Sequence, residues 1–186
     1  MQIVVNDPRA KETDFSCLSY ILYGASPIPL DLLRQCMDTF KCGFVQMYGM
    51  TETTGTVVAL PPEDHDPDGN ERMRSAGKPL PGVEITIQDD DGNALPAREV
   101  GEICVRAPAN MVGYWNLPDA TAKTIGKDGW LRTGDAGYMD EDDYVAKILS
   151  ITISYNIGKY NEETLRMAVN ISSYSGWVKP LGFYLQ

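Results

Sequence analysis

The chain has no run of basic residues: 16 Lys and Arg stand against 26 Asp and Glu, a formal net charge of -10 over 186 residues. A nucleic-acid surface needs clustered Lys and Arg, and a patch that docks on anionic lipid needs the same, so neither partner is expected. No apolar stretch approaches the about 20 residues that cross a bilayer. The N-terminus, Met1 to Pro8, lacks the basic start and long apolar core of a signal peptide. A cytoplasmic protein without a transmembrane segment is the expectation. Cys17, Cys36, Cys42 and Cys104 include no Cys-x-x-Cys pair, which speaks against zinc and dithiol chemistry and for reduced thiols packed as small hydrophobes. The single histidine, His65, lies in a proline-bounded acidic loop. It reads as a solvated loop residue, since no Ser or Cys nucleophile pattern accompanies it. Thr124-Ile125-Gly126-Lys127-Asp128 lacks the upstream Gly and the following Ser or Thr of a Walker loop, and no Gly-x-Gly-x-x-Gly occurs; a P-loop NTPase and a Rossmann dinucleotide binder are both excluded.

What the chain does have is concentrated in Gln46-Met47-Tyr48-Gly49-Met50-Thr51-Glu52-Thr53-Thr54-Gly55, after the apolar run Gly43-Phe44-Val45. An aromatic ring, a hydroxyl and a carboxylate fall within five residues, with a turn expected at Gly49. A ring offers a flat face to a purine, a threonine hydroxyl can donate to a phosphate oxygen, and a glutamate is the hard oxygen ligand that magnesium takes when it also holds phosphates. Taken alone, the stretch reads equally well as a strand end followed by an ordinary polar turn.

The flanking sequence supplies a topology. Leu18 to Tyr23 is apolar and aromatic and ends at Gly24, which predicts a buried strand. Ala25 and Ser26 are small enough for close approach to a ligand. Pro29 suits a first helical turn, and Leu32, Leu33, Cys36, Met37 and Phe40 then recur at helical spacing. Lys41-Cys42-Gly43 ends the helix, and Phe44 to Tyr48 is the next strand. A strand–helix–strand unit of this length suits a parallel pair, whose ligands sit at the carboxyl ends of the strands. Gly24 and Tyr48 both fall there.

From residue 76 the pattern changes. Val83 to Ile87 alternates, Asp89 to Asn93 reads as a hairpin tip rather than a calcium loop, and Gly101 to Arg106 is a further strand. Pro118 to Ile125 is a short helix with Asn116 as its cap. Trp130-Leu131 and Tyr138-Met139 flank a turn at Thr133-Gly134-Asp135, and Tyr144-Val145 starts another strand after an acidic turn. Tyr114 and Trp115 read as core. The expected fold is therefore α/β: part of a parallel layered sheet, then a small antiparallel β subdomain. The expected divisions are 1–64, 65–145 and an unassigned tail, 146–186. No internal repeat or low-complexity linker is found.

Four segments in order resemble the adenylate-forming enzymes: acyl-CoA synthetases, luciferases and peptide-synthetase adenylation domains. They are Tyr23-Gly24-Ala25-Ser26-Pro27-Ile28-Pro29; Tyr48-Gly49-Met50-Thr51-Glu52; Gly101-Glu102-Ile103-Cys104-Val105-Arg106 with Gly113-Tyr114-Trp115; and Gly129-Trp130-Leu131-Arg132-Thr133-Gly134-Asp135. The likeness runs from about Thr13 to Val145, a central portion of the family's large N-terminal domain, and is closest to AMP-forming fatty-acid or medium-chain acid–CoA ligases. It implies an enzyme that converts a carboxylate and ATP to an acyl-adenylate and pyrophosphate, then transfers the acyl group to CoA, with Mg2+ required. It implies that Tyr48 stacks on adenine; that Gly24, Ala25, Gln46 and Met47 line the purine pocket; and that Asp135 accepts hydrogen bonds from the ribose hydroxyls. It further implies that Thr51 contacts phosphate, Glu52 binds the metal, and Gly24, Gly49 and Met50 lie near the acyl substrate. Thr51 and Glu52 are thus the catalytic candidates. Read without the other segments, Asp135 is a Gly-Asp turn residue.

The likeness also has limits. The family's phosphate-wrapping loop, rich in Ser, Thr and Gly and ending in lysine, has no match in this chain. Neither has its Asp-Arg hinge, its glycine turn or its C-terminal domain with the catalytic lysine. Asp143 stands where the family has Gly, and nothing from 146 to 186 matches. Lys147, Lys159 and Lys179 are assigned no catalytic role. The expectation is that the tail is out-of-frame or misjoined sequence and that the isolated chain is inactive. Two alternatives stay open: an adenylation module that loads a carrier protein, and a non-catalytic nucleotide-binding or interaction module. The acid is not specified, and for the full-length protein a homo-oligomer is left open.

Overall fold

The computed structural model describes residues 1–25, 28–66 and 68–147. Ser26 and Pro27 of the first motif segment, and all of the 146–186 tail, expected to be misjoined, except Ala146 and Lys147, lie outside the described residues.

The chain opens with α1 (Gln2–Val5) and a short 3-10 turn at Pro8–Lys11, capped by the Asp7 side chain accepting from the Arg9 N–H. Strand β1 (Tyr20–Gly24), helix α2 (Leu30–Phe40) and strand β2 (Gly43–Met50) follow. β1 and β2 pair in parallel, Tyr20 opposite Gly43 through Gly24 opposite Met47. This is the strand–helix–strand unit expected from the spacing. Its helix buries the face that the apolar period marks out: Leu33, Cys36 and Phe40 are buried and pack with Tyr23, Phe44 and Met73. α2 stops at Lys41, which turns left-handed at φ 47° and returns its N–H to the Met37 carbonyl.

β2 runs two residues further than expected. Gly49 and Met50 still pair, with Thr56 and Gly55 of β3 (Gly55–Leu60), so the turn is Thr51–Thr54 and not Gly49. β3 is antiparallel to β2, and β4 (Lys78–Pro79) is antiparallel to β3, giving a mixed sheet in the order β1-β2-β3-β4. A second sheet is wholly antiparallel, as expected: β5 (Glu84–Gln88), β6 (Gly101–Arg106), β7 (Leu131–Met139) and β8 (Val145–Lys147), in chain order. The two sheets meet through backbone bonds between Ala76-Gly77 and Val145. They enclose a core of Tyr48, Val57, Val58, Ala76, Ile87, Ile103, Val105 and Val145. On the outer side of β1, Tyr20 and Leu22 remain exposed.

Three local expectations are corrected. Thr133-Gly134-Asp135 is not a turn but lies inside β7, where the pairing with β6 shifts register between Glu102 and Cys104. Gly134 takes φ +73° there, and this bulge produces the turn-like composition. Asn116 does not cap α3 (Pro118–Thr124): it is left-handed at φ 54°, and the cap position belongs to Leu117. Trp115 is 89% exposed and not part of the core.

Candidate functional site

The parallel pairing of β1 and β2 brings two motif-bearing stretches side by side. Gly24 lies opposite Met47, and Tyr23 opposite Gln46. A Cβ at Gly24 would collide with the Met47 carbonyl, and one at Gly49 with the Gly55 carbonyl, so both glycines serve close backbone packing. Ala25 follows at φ 65°, a left-handed conformation that is uncommon for a residue with a side chain. Met47 and Met50 are half-buried, and Gly49 is exposed.

Tyr48 turns its ring into the core between the two sheets and is 8% exposed. Its hydroxyl donates to Asp135 Oδ2 at 2.9 Å. Burial pushes the Tyr48 phenol above its ordinary range, so it stays a protonated donor. Asp135 is delivered by the β7 bulge. Gly134 N–H donates to Glu102 Oε1 at 2.9 Å, and Thr133 Oγ1 accepts from the Asp135 N–H at 3.1 Å while donating to the Ile103 carbonyl at 2.7 Å. The carboxylate has a second partner that no sequence signal marked. Lys147 Nζ lies 2.8 Å from Asp135 Oδ1, and the same ammonium sits 5.4 Å from the centre of the Tyr48 ring. Lys147 reaches Asp135 because β8 pairs with β7, Gly137 opposite Lys147.

The Thr51–Thr54 turn is locked by Thr53, whose buried hydroxyl accepts from the Met50 N–H at 3.0 Å and lies 2.7 Å from the Gly55 carbonyl. This leaves Thr51 exposed and Glu52 half-buried at the end of β2. Tyr114, expected in the core, instead donates its hydroxyl to Glu52 Oε1 at 2.7 Å. That bond to the carboxylate raises the Tyr114 phenol above its ordinary range. Its motif, Gly113-Tyr114-Trp115, was visible in the sequence; its partner, 62 residues earlier, was not.

Gln46 and His65 meet at Tyr23. His65 is 8% exposed, not solvated. Its Nδ1 faces the Pro61 carbonyl at 2.9 Å, which can only accept, so the proton is on Nδ1 and Nε2 accepts from the Tyr23 hydroxyl at 2.9 Å. Gln46 Oε1 lies 3.2 Å from the same hydroxyl, which has one proton for two acceptors. Burial lowers the His65 pKa below its ordinary 6.5, against smaller opposing effects from the Pro61 carbonyl, Asp64 and Glu63. The unfolded chain therefore binds a proton here before the folded one does. Stability from this site is complete above about pH 6.5 and falls as the pH drops below it. Thermal melts between pH 7 and pH 5 are expected to show this loss, and His65→Gln to remove that part of the slope; an unchanged slope would refute the assignment.

Glu52 offers a cation one carboxylate. Among the described residues no group of three or more His, Cys, Asp or Glu is placed to hold an ion. A lone carboxylate fits magnesium, which keeps several waters and takes substrate phosphates as its other ligands.

Comparison with known proteins places this geometry in a family. The model for the AMP-binding enzymes matches residues 1–115. A fatty acid–[acyl-carrier-protein] ligase from Streptomyces coeruleorubidus is 47% identical over 145 residues, covering 78% of this chain and 28% of the relative. A medium/long-chain-fatty-acid–CoA ligase from Mycobacterium tuberculosis is 35% identical over 159 residues, 83% of this chain and 27% of the relative. Among solved structures, the amide bond synthetase McbA from Marinactinospora thermotolerans superposes with a TM-score of 0.72 at 37% identity, over 77% of this chain and 28% of that one. The chain thus spans little more than a quarter of the length of these relatives. With its mixed sheet, its antiparallel second sheet and these matches, the chain belongs to the AMP-binding, adenylate-forming enzyme family.

Proposed function

We propose that the chain is the nucleotide-holding portion of an AMP-forming ligase, with adenosine held by Tyr48 and Asp135. The observation that carries this reading is the 2.9 Å hydrogen bond between those two side chains, which come from motifs 87 residues apart. The likeness assigns one to the base and the other to the sugar, and a single nucleoside can reach both only if they are neighbours. Gly24, Ala25, Gln46 and Met47 border the base, and Thr51 donates to phosphate. Glu52 would hold magnesium, which when bound offsets phosphate charge. Gly24, Gly49 and Met50 border the acyl group.

The reaction is attack of a substrate carboxylate oxygen on the α-phosphorus of ATP, with pyrophosphate leaving and an acyl-adenylate formed. An acceptor thiol then attacks the acyl carbon and releases AMP. Both steps depend on alignment and charge stabilisation rather than on a protein nucleophile. The substrate is a fatty or medium-chain acid and the acceptor CoA, as in the named activity of the Mycobacterium tuberculosis relative. A carrier-protein thiol is the second reading, favoured by the 47% identity to an acyl-carrier-protein ligase.

Lys147 occupies one Asp135 oxygen and lies over the Tyr48 ring, so a nucleoside must displace it. Titration calorimetry of the purified chain with AMP tests the reading: saturable binding at one site is expected, and no heat beyond dilution at millimolar AMP would contradict it.

A further inference from the structure

The Thr51–Thr54 turn that carries Glu52 is held at three points by one neighbouring segment, two of them on Glu52 itself. Its carbonyl accepts from the Met111 N–H at 2.7 Å, its Oε1 accepts from the Tyr114 hydroxyl at 2.7 Å, and the Thr54 hydroxyl in the same turn donates to the Ala109 carbonyl at 2.6 Å. Tyr114 is itself fixed. Its N–H donates to Thr121 Oγ1 at 2.9 Å, and that hydroxyl donates to the Leu117 carbonyl at 3.0 Å in the first turn of α3. Gly113 takes φ +152° and lies against Thr121, so the tyrosine is set at a defined point above the Thr51–Thr54 turn. The segment from Ala107 to Leu117 is also tied to β6 by Asn110, whose amide donates to the Val105 carbonyl at 2.9 Å.

A carboxylate that serves a metal through one oxygen gains from a donor that fixes the other, because the donor sets the angle of the whole group. We propose that Tyr114 is a positioning residue for the phosphate–metal site: its hydroxyl anchors Glu52 Oε1 and so aims Oε2 at the cation that accompanies ATP. The inference rests on the nucleotide reading above. It adds a residue to which no metal or nucleotide role has been given.

The test uses the full chain with Tyr114→Phe, which removes only the hydroxyl, and two nucleotide measurements. AMP affinity is read by calorimetry in EDTA, where no metal is involved. Mn2+ affinity in the presence of ATP is read from the electron paramagnetic resonance of free Mn2+. For Tyr114→Phe, AMP binding is expected to stay within about twofold while Mn2+ binding weakens about tenfold, the lower end of what loss of an outer partner costs. Glu52→Gln should show the same split, and adding Tyr114→Phe to Glu52→Gln should produce no further loss in Mn2+ binding, since the two act as one unit. Equal losses of AMP and Mn2+ binding, or no loss of either, would overturn the positioning role. Failure of the unsubstituted chain to bind AMP would instead overturn the nucleotide reading, and the role with it.

Discussion

AMP affinity is expected to fall about a hundredfold when Asp135 is replaced by alanine. In the proposed site two hydrogen bonds from ribose hydroxyls to the carboxylate would be lost, each worth about 1.5 kcal/mol or more because the acceptor is charged, and each 1.4 kcal/mol is about tenfold. The same substitution frees Lys147, which now pairs with Asp135 Oδ1 at 2.8 Å, and leaves the buried Tyr48 hydroxyl without its acceptor. Lys147→Ala provides the opposite sign. It removes the ammonium over the Tyr48 ring and leaves the carboxylate to the ribose, so AMP should bind more tightly, by about threefold to tenfold. That range follows from the modest worth of a part-exposed ion pair and of a cation–π contact. Calorimetry on the two variants checks both. A weaker Lys147→Ala would mean that the ammonium assists the nucleotide rather than standing in its place, and an unaltered Asp135→Ala would remove the sugar contact.

The second large effect is on stability. Phe44 is 1% exposed and sits at the centre of the cluster that α2 makes with β1 and β2. Its ring lies edge-on to Tyr23 at 6.3 Å and tilted to His65 at 6.4 Å. Phe44→Ala is expected to cost about 3–5 kcal/mol, through lost burial and the cavity left behind. A domain of this size has only about 5–15 kcal/mol in total, so denaturant unfolding should shift to a much lower midpoint or lose its native baseline. Phe44 also borders the Tyr23–His65–Gln46 cluster, so residual nucleotide binding in the variant should weaken with stability. A change of less than about 1 kcal/mol would show that the helix is not packed as described.

How far these positions can be read from sequence depends on where their partners lie. The β1–α2–β2 unit is legible because its signals are local: the apolar period of Leu33, Cys36 and Phe40 buries as its spacing implies. The second sheet is legible for the same reason, through alternation at 83–87 and apolar content at 101–106. Thr133-Gly134-Asp135 reads as a turn because glycine before aspartate is turn chemistry in most settings. Here Arg132 and Ala136 keep their partners Cys104 and Glu102 across the bulge, and the strand continues. His65 looked solvated because its neighbours in sequence are acidic and proline-rich. It is buried against the Tyr23 and Phe44 rings, which are remote in sequence, and bonded to the Tyr23 hydroxyl 42 residues away. Tyr114 lies in a visible motif and Lys147 in none, but neither partner is marked locally: each acquires its meaning from a carboxylate supplied by another strand or turn.

The most direct measurement is an isotope-edited NMR spectrum of the chain saturated with AMP, reading nuclear Overhauser contacts from the adenine H2 and H8 protons. Contacts to the Tyr48 ring, together with a ribose H1′ contact to the Asp135 Cβ protons, are expected. Contacts confined to residues away from both side chains would contradict a nucleoside seated between positions 48 and 135.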